Sequence, residues 1–453
     1  MDKRTDLSVI NTLPAAIPPT TKFNFIKHWW NRSERTATIA EARIIQRIYG
    51  ALPGVVNRIP IMARVGRIAL DDEKKKLINT LYITQQPNQD VPYRFEPGHT
   101  ADLESIIKQD DNDTKNLVMC HGYGAGLGFF YRNYQQLSQV PGWRIFSIDW
   151  LGMGNSSRPK WTIAKKSSQT WDDVVDTVED HFVESLEDWR NKVGINKMTL
   201  CGHSMGGYFA TCYALKYPER VEKLILVSPG TLIDTYSIIT IFIFLCLAGI
   251  PIPPPEAVTK PNKNPQETVQ QEADEIGAAY QAETAAVENI AKQQGVPNNN
   301  NPPRRIPAWA TYLWNNNITP MSIIRMTGPF GARLVHNYTS RRFAHLTEAE
   351  QHDFYDYLYN ITSSTGSGEF ALAAILAPGA YARKPLFHRL AQLKMPTVFI
   401  YGEHDWMDYK AAEEAKEHMK VPAKVIRIAN GGHHMYLENP KDFNRICCEE
   451  MSK

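Results

Sequence analysis

Apolar and polar positions along this chain switch between two periods. Short apolar runs recur at NLVMC (116–120), RIFSIDW (144–150), KMTLC (197–201), KLILVS (223–228), TVFIYG (397–402) and KVIRIA (424–429). Stretches with helical spacing lie between them, such as Trp171 to Trp189 and Tyr208 to Tyr217. Runs this short, flanked by Gly or Asp and divided by helices, are the pattern of strands buried on both faces of a parallel sheet. The spacing therefore predicts an α/β fold, a mostly parallel central sheet with helices on both faces. Upstream, Arg67 to Tyr93 is strand-rich and includes LINTLYIT at 77–84.

The alternation stops after Gly230 and returns near Pro396. Residues 67–230 and 396–453 are read as the core, and 231–395 as a helical cap inserted into it. Within the insert, 253–303 is of low complexity and ends in NNNNPP. Val269, Ile276, Tyr280, Val287 and Ala291 share one helical face there, in a stretch rich in glutamate. The most apolar segment, 238–252, is shorter than the roughly 20 residues a bilayer span needs and closes on Pro251 to Pro255. It is expected to be buried or to dip into one leaflet.

Residues 1–66 form a basic N-terminal segment that begins as a proline-containing lead. From Lys22 to Arg67, nine Lys and Arg face only Glu34 and Glu41. Ile44, Ile45, Ile48 and Leu52 fall at helical spacing, and Trp29 and Trp30 are residues that favour a headgroup layer. Arg-rich and acid-poor is also how a mitochondrial presequence reads. A targeting or membrane-surface segment and a solvated helix packed on the main domain both fit.

Overall charge narrows the field. Fifty Lys and Arg against 48 Asp and Glu leave +2, without the basic excess of a nucleic-acid binder. Six cysteines in a chain of 453 residues make no disulfide framework. Cys120, Cys201 and Cys246 lie in apolar runs, where free cysteine acts as a small buried hydrophobe. A reducing compartment is expected.

The chemistry concentrates at KMTLCGHSMGGYFATCYAL, 197–215. A strand runs into Gly202-His203-Ser204-Met205-Gly206 and a helix follows at once, the nucleophile-elbow arrangement. Gly202 and Gly206 give the turn room, and Ser204 is the candidate nucleophile. A serine hydroxyl needs a base, and after the last strand Gly431-Gly432 precede His433. His433 is preferred over His434, which is expected to point the other way. The acid that orients the base should follow the preceding strand, where Asp405 is chosen and Asp408 is the fallback. Oxyanion donors are assigned to the N–H groups of Met205 and of Tyr123, in the loop His121-Gly122-Tyr123-Gly124-Ala125-Gly126. The G-x-G-x-G spacing in that loop lacks the full dinucleotide fingerprint, and neither a cofactor nor a metal is expected. Asp149, Gly152 and Gly154 are read as shaping a structural loop behind the oxyanion turn.

Together these residues resemble the α/β-hydrolase superfamily, and within it the branch of the fungal mitochondrial cardiolipin deacylases and the comparative-gene-identification lipid-droplet co-activator. The resemblance rests on 117–134, 148–159, the GHSMGG elbow, 367–386, 399–408 and 431–444. It implies a serine hydrolase cleaving acyl esters of phospholipids or lysophospholipids, in mitochondrial cardiolipin or phospholipid remodelling, peripheral to a membrane. Cytoplasm and lipid droplet are the alternative locations. Some members of this branch lack the nucleophile and act as protein co-activators, whereas Ser204 is present here. Many carry a His-x4-Asp motif linked to lysophosphatidic acid acyl transfer. Here His433 is followed five positions later by Glu438, the same charge on a longer side chain. Acyl transfer from the same site, or a non-catalytic membrane scaffold, are the alternative functions.

Overall fold

The structure, a computed structural model, describes residues 16, 21–49, 59–85, 95–99, 102–109, 114–161, 163, 165, 168–230, 312–314, 316–377 and 381–453. The apolar segment 238–252, the low-complexity stretch 253–303, the glutamate-rich helical face, Leu52 and Cys246 lie outside the described residues.

In chain order the strands are β1 (Ile61–Ala69), β2 (Leu77–Gln85), β3 (Phe95–His99), β4 (Lys115–Cys120), β5 (Trp143–Ile148), β6 (Met198–His203) and β7 (Val221–Val227), then the short β8 (Leu376–Ala377) and β9 (Tyr381–Ala382), then β10 (Thr397–Gly402) and β11 (Ala423–Ile428). Nine of them form one sheet in the order β11-β10-β7-β6-β4-β5-β2-β1-β3. From β11 to β5 every pairing is parallel, and β2 runs antiparallel to β5 and β1. Each apolar run read from the sequence is a strand. β5, β6 and β10 are buried along their whole length, as strands covered on both faces must be. The sheet also starts earlier than residue 67, because β1 opens at Ile61, whose side chain is already buried.

The helices that matter for the site are α1 (Lys22–Trp30), α2 (Glu34–Gln46), α3 (Trp171–Val193), α4 (Met205–Lys216), α5 (Pro320–Met326), α6 (Pro329–Arg342), α7 (Glu348–Ser363), α8 (Tyr409–His418) and α9 (Pro440–Met451). Among the described residues, no helix is long and apolar enough to cross a membrane. Thr170 caps the start of α3 with Asp173 in a reciprocal capping box, and Gly194 at φ 75° ends it. On one side of the sheet, α3 and α4 pack through Phe182, Trp189 and Phe209.

The other side is covered by the N-terminal segment, the insert, the 127–137 segment that follows β4, and the C-terminal helix α9. A capping box of Ser33 and Thr36 starts α2, which buries Ile44 and Ile45, and Ile48 beyond it, without exposure. These residues share one core cluster with Phe354, Tyr357 and Val335 of the insert. Arg43 pairs with Asp356 at 2.6 Å and Arg47 contacts Asp353. The 34–49 part of the basic N-terminal segment is therefore built into the fold, and two of its arginines are neutralised by the insert.

Candidate active site

The parallel strands deliver the candidate residues to one edge of the sheet. Spatial order β4, β6, β7, β10, β11 places the loops after these strands side by side, at their carboxyl ends, where open α/β sheets bind ligands. Loop 121–126 follows β4, Ser204 follows β6, Ser228 follows β7, Asp405 follows β10 and His433 follows β11.

Ser204 sits at φ 54°, ψ −119°, a conformation that a residue with a Cβ adopts only when its surroundings impose it. The surroundings do impose it. A Cβ on Gly202 would stand 2.4 Å from the Gly206 carbonyl oxygen, and one on Gly206 would stand 2.4 Å from the His121 oxygen. The Ser204 N–H donates to Val227 O at 2.9 Å, and its carbonyl accepts from Gly230 at 3.1 Å. Between 201 and 210, Ser204 is the one residue that is not buried. The turn thus lifts a hydroxyl out of an otherwise closed surface at the N-terminus of α4.

Across from it, His433 Nδ1 lies 3.0 Å from Asp405 Oδ1. Asp405 has a side chain 1% exposed and also accepts from Ser228 Oγ and from Met407 N. Burial alone would raise its pKa, but the charge and hydrogen bond of His433 and the bonds from Ser228 and Met407 outweigh that and hold it below the usual carboxylate value. Asp408 is not part of this arrangement. It caps α8, accepting from Lys410 N at 2.9 Å. His434 turns away from Asp405, packs against Phe129 and Phe343, and contacts Arg342 through Nδ1 at 2.9 Å. The Ser204 hydroxyl and the His433 imidazole share no hydrogen bond in this arrangement, and such contacts commonly tighten only with substrate in place.

On the oxyanion side, a Cβ on Gly122 would stand 3.0 Å from the Ser204 Cβ, so the 121–126 loop passes directly over the elbow. Its course is fixed from below. His121 is buried, shares a 2.8 Å contact from Nδ1 to Gly122 O, and accepts from Trp150 Nε1 through its carbonyl at 2.9 Å. Asp149 accepts from Leu127 N at 2.7 Å and from Asn155 N at 2.8 Å, the structural role read for that loop. Neither the Tyr123 nor the Met205 N–H is bonded to a backbone carbonyl. Both are available to an anionic oxygen.

Glu438 is placed behind the histidine. It accepts from Gly432 N and from Arg342 Nη1 of α6, the latter at 2.5 Å. It ties the loop carrying His433 to the insert. Three contacts were not read from the sequence: Ser228 on Asp405, His203 Nε2 on the His433 carbonyl at 2.9 Å, and Trp406 with its ring 4.4 Å from the His433 ring. A serine just past β7, and a tryptophan beside Asp405, are the visible signals. Desolvation, then the neighbouring His433, push His203 well below the ordinary histidine value, so it stays a neutral hydrogen-bonding group.

A family model for the alpha/beta hydrolase fold matches residues 115–322. A probable 1-acylglycerol-3-phosphate O-acyltransferase of Oryza sativa is 32% identical over 83% of this chain and 78% of its own length. The chain belongs to the α/β-hydrolase family. The human (lyso)-N-acylphosphatidylethanolamine lipase is 30% identical to this hydrolase-family chain over 75% of it and 80% of the lipase. Among solved structures, naproxen esterase (carboxylesterase NP) from Bacillus subtilis shares the fold, with TM-score 0.50 at 14% identity over 91% of this chain and 97% of that one.

Proposed function

We propose that this chain is a serine esterase that cleaves acyl esters of glycerophospholipids through an acyl-enzyme on Ser204. The observation that carries the reading is the Asp405–His433 pair, 3.0 Å apart, at the same strand edge as the serine elbow. Asp405 holds the imidazole with Nδ1 turned toward it, leaving Nε2 to take the Ser204 proton as the hydroxyl attacks the ester carbonyl. The carbonyl oxygen becomes an anion facing the N–H groups of Tyr123 and Met205. Collapse returns the proton from His433 to the departing alcohol, leaving the acyl group on Ser204. A water molecule then attacks, gives its proton to His433, and frees the fatty acid and the serine.

A lipid substrate is supported by the relatives, two of which are named for phospholipid or lysophospholipid chemistry. Acyl transfer to a lysophospholipid is the second reading, favoured by the name of the rice relative. It is placed second because Glu438, the acid of the His-x4-Glu pattern, is occupied by Arg342 and Gly432. Incubating wild-type protein and Ser204→Ala with acyl-labelled phospholipid, with and without lysophosphatidic acid, separates the two. Labelled free fatty acid that disappears in the variant supports hydrolysis, and labelled phosphatidic acid supports transfer. A Ser204→Ala variant as active as wild type refutes both, and wild type that forms neither product leaves the scaffold reading.

Placement beside the fungal cardiolipin deacylases, cardiolipin as substrate and a mitochondrial site peripheral to the membrane stay part of this proposal. They rest on the sequence resemblance, since Arg43 and Arg47, which shaped the presequence reading, are paired with Asp356 and Asp353. Cell fractionation that finds the protein only in cytosol or on lipid droplets would remove them.

A further inference from the structure

We infer that α1 and the α5–α6 junction form one docking surface for an anionic lipid membrane, placed at the mouth of the active site. The inference rests on the phospholipid reading above and names where the lipid surface is met.

Among the described residues, eight large apolar side chains stand exposed, and five of them belong to these two segments. On α1, Phe23 (72%), Ile26 and Trp30 (76%) follow one another three and four residues apart, so they lie on a single helical stripe. α1 has no buried residue. At the α5–α6 junction, Met326 is 78% and Phe330 68% exposed. The two segments touch. The Trp29 ring lies 3.8 Å from where a Cβ of Gly328 would stand, between Met326 and Phe330, and Phe25 packs on His336 of α6 with ring centroids 5.8 Å apart. Two groups of exposed apolar side chains therefore stand on segments that touch, a grouping of the kind that marks an interaction surface rather than scattered surface hydrophobes.

Charge selects the occupant. α1, α5 and α6 contain no aspartate or glutamate. Arg325 and Arg342 are paired inward with Glu369 and Glu438, while Lys22, Lys27 and Arg333 are exposed. Apolar and aromatic side chains set among cations, with no anion among them, suit the headgroup and acyl boundary of an anionic bilayer.

Position gives the patch its meaning. At the start of α5, the Met321 methyl lies 2.8 Å from where a Cβ of Gly124 would stand, against the oxyanion loop. Met326 follows five residues later, a rise of about 7.5 Å along a helix. One short helix therefore joins the oxyanion loop to the membrane-facing patch, so a docked molecule meets its lipid substrate at the site instead of extracting it from water.

The test uses the full chain with phosphatidylcholine vesicles with and without phosphatidic acid, read by co-sedimentation. Wild type should bind the anionic vesicles, more weakly as salt rises. Phe23→Ser with Trp30→Ser, and Met326→Ser with Phe330→Ser, should each weaken binding at least about tenfold. Lys22→Glu with Lys27→Glu and Arg333→Glu should abolish the preference for phosphatidic acid while leaving every apolar residue in place. All should hydrolyse a water-soluble short-chain ester at the wild-type rate. Wild type that stays in the supernatant, or variants that sediment as it does, would overturn the inference. So would a wild-type dimer that the apolar substitutions dissociate, since a second copy would then cover the patch. If no ester is hydrolysed by wild type, the esterase reading fails, and vesicle binding still decides this one.

Discussion

Replacing Glu41 with glutamine tests how the N-terminal helix is tied to the loop behind the oxyanion turn. The Glu41 carboxyl is 1% exposed and accepts from Asn79 Nδ2 at 2.7 Å and Asn155 Nδ2 at 2.9 Å. The same Asn79 amide serves Asp149 at 2.8 Å. Burial, and then the negative charge of Asp149, raise Glu41 from the ordinary 4.5 to about 8. With a raised folded-state value, the native protein keeps a proton that the unfolded chain releases above 4.5. The stabilisation is complete below that pH and is lost as pH climbs toward 8. One unit is worth about 1.4 kcal/mol, so between about pH 5 and about pH 7.5 the wild type should lose about 3 kcal/mol through this group. Glutamine keeps an oxygen for Asn79 and Asn155 and has no proton to lose. Glu41→Gln should therefore match wild type near pH 5 and exceed its stability by about 3 kcal/mol near pH 7.5. Urea unfolding followed by tryptophan fluorescence across that range measures it, and taking the difference between the two proteins cancels other titrating groups. A difference that does not change with pH, or a variant less stable at the higher pH, would show that folded Glu41 does not keep its proton.

Asp405→Asn keeps the shape of the pair but presents a donor to His433 Nδ1, and kcat should fall by roughly 10⁴ with little change in KM. Gly122→Ala puts a Cβ 2.9 Å from His203 Nδ1 and 3.0 Å from Ser204 Cβ. Displacing the Tyr123 donor in this way should lower kcat by about 10²–10³, while circular dichroism stays that of wild type. Arg342→Ala leaves the Glu438 carboxylate, 13% exposed, without its cation. The variant should be less stable by about 2 kcal/mol in urea, and Arg342→Lys should recover only part, because an ammonium does not reproduce the fork that reaches both Glu438 and His434.

The strands and the serine elbow were legible because their signals are local. A buried parallel strand writes itself as a continuous apolar run, and Gly202 and Gly206 are required by contacts within a few residues of the turn or with the neighbouring strand end. Distance past the strand end favours Asp405 over Asp408, and in the structure Asp405 meets His433 while Asp408 caps α8. Contacts between distant residues left no such trace. Arg43 and Asp356 lie 313 positions apart, and Glu41 reaches Asn155 across 114. Read alone, the N-terminal arginines are simply an acid-poor stretch, and only the docked insert shows which of them are neutralised. Ser228 escaped notice for a related reason. Its bond to Asp405 depends on β7 lying between β6 and β10, and nothing in the KLILVS run announces that strand order.

The proposed hydrolysis needs Ser204 to be an activated nucleophile. Its direct test is labelling of the purified protein by a fluorophosphonate, with the adduct located by peptide mass. The expected result is one adduct on Ser204 in wild type, none in Ser204→Ala, and strongly slowed labelling in Asp405→Asn. Folded wild-type protein that remains unlabelled, or an adduct on another serine, would contradict it.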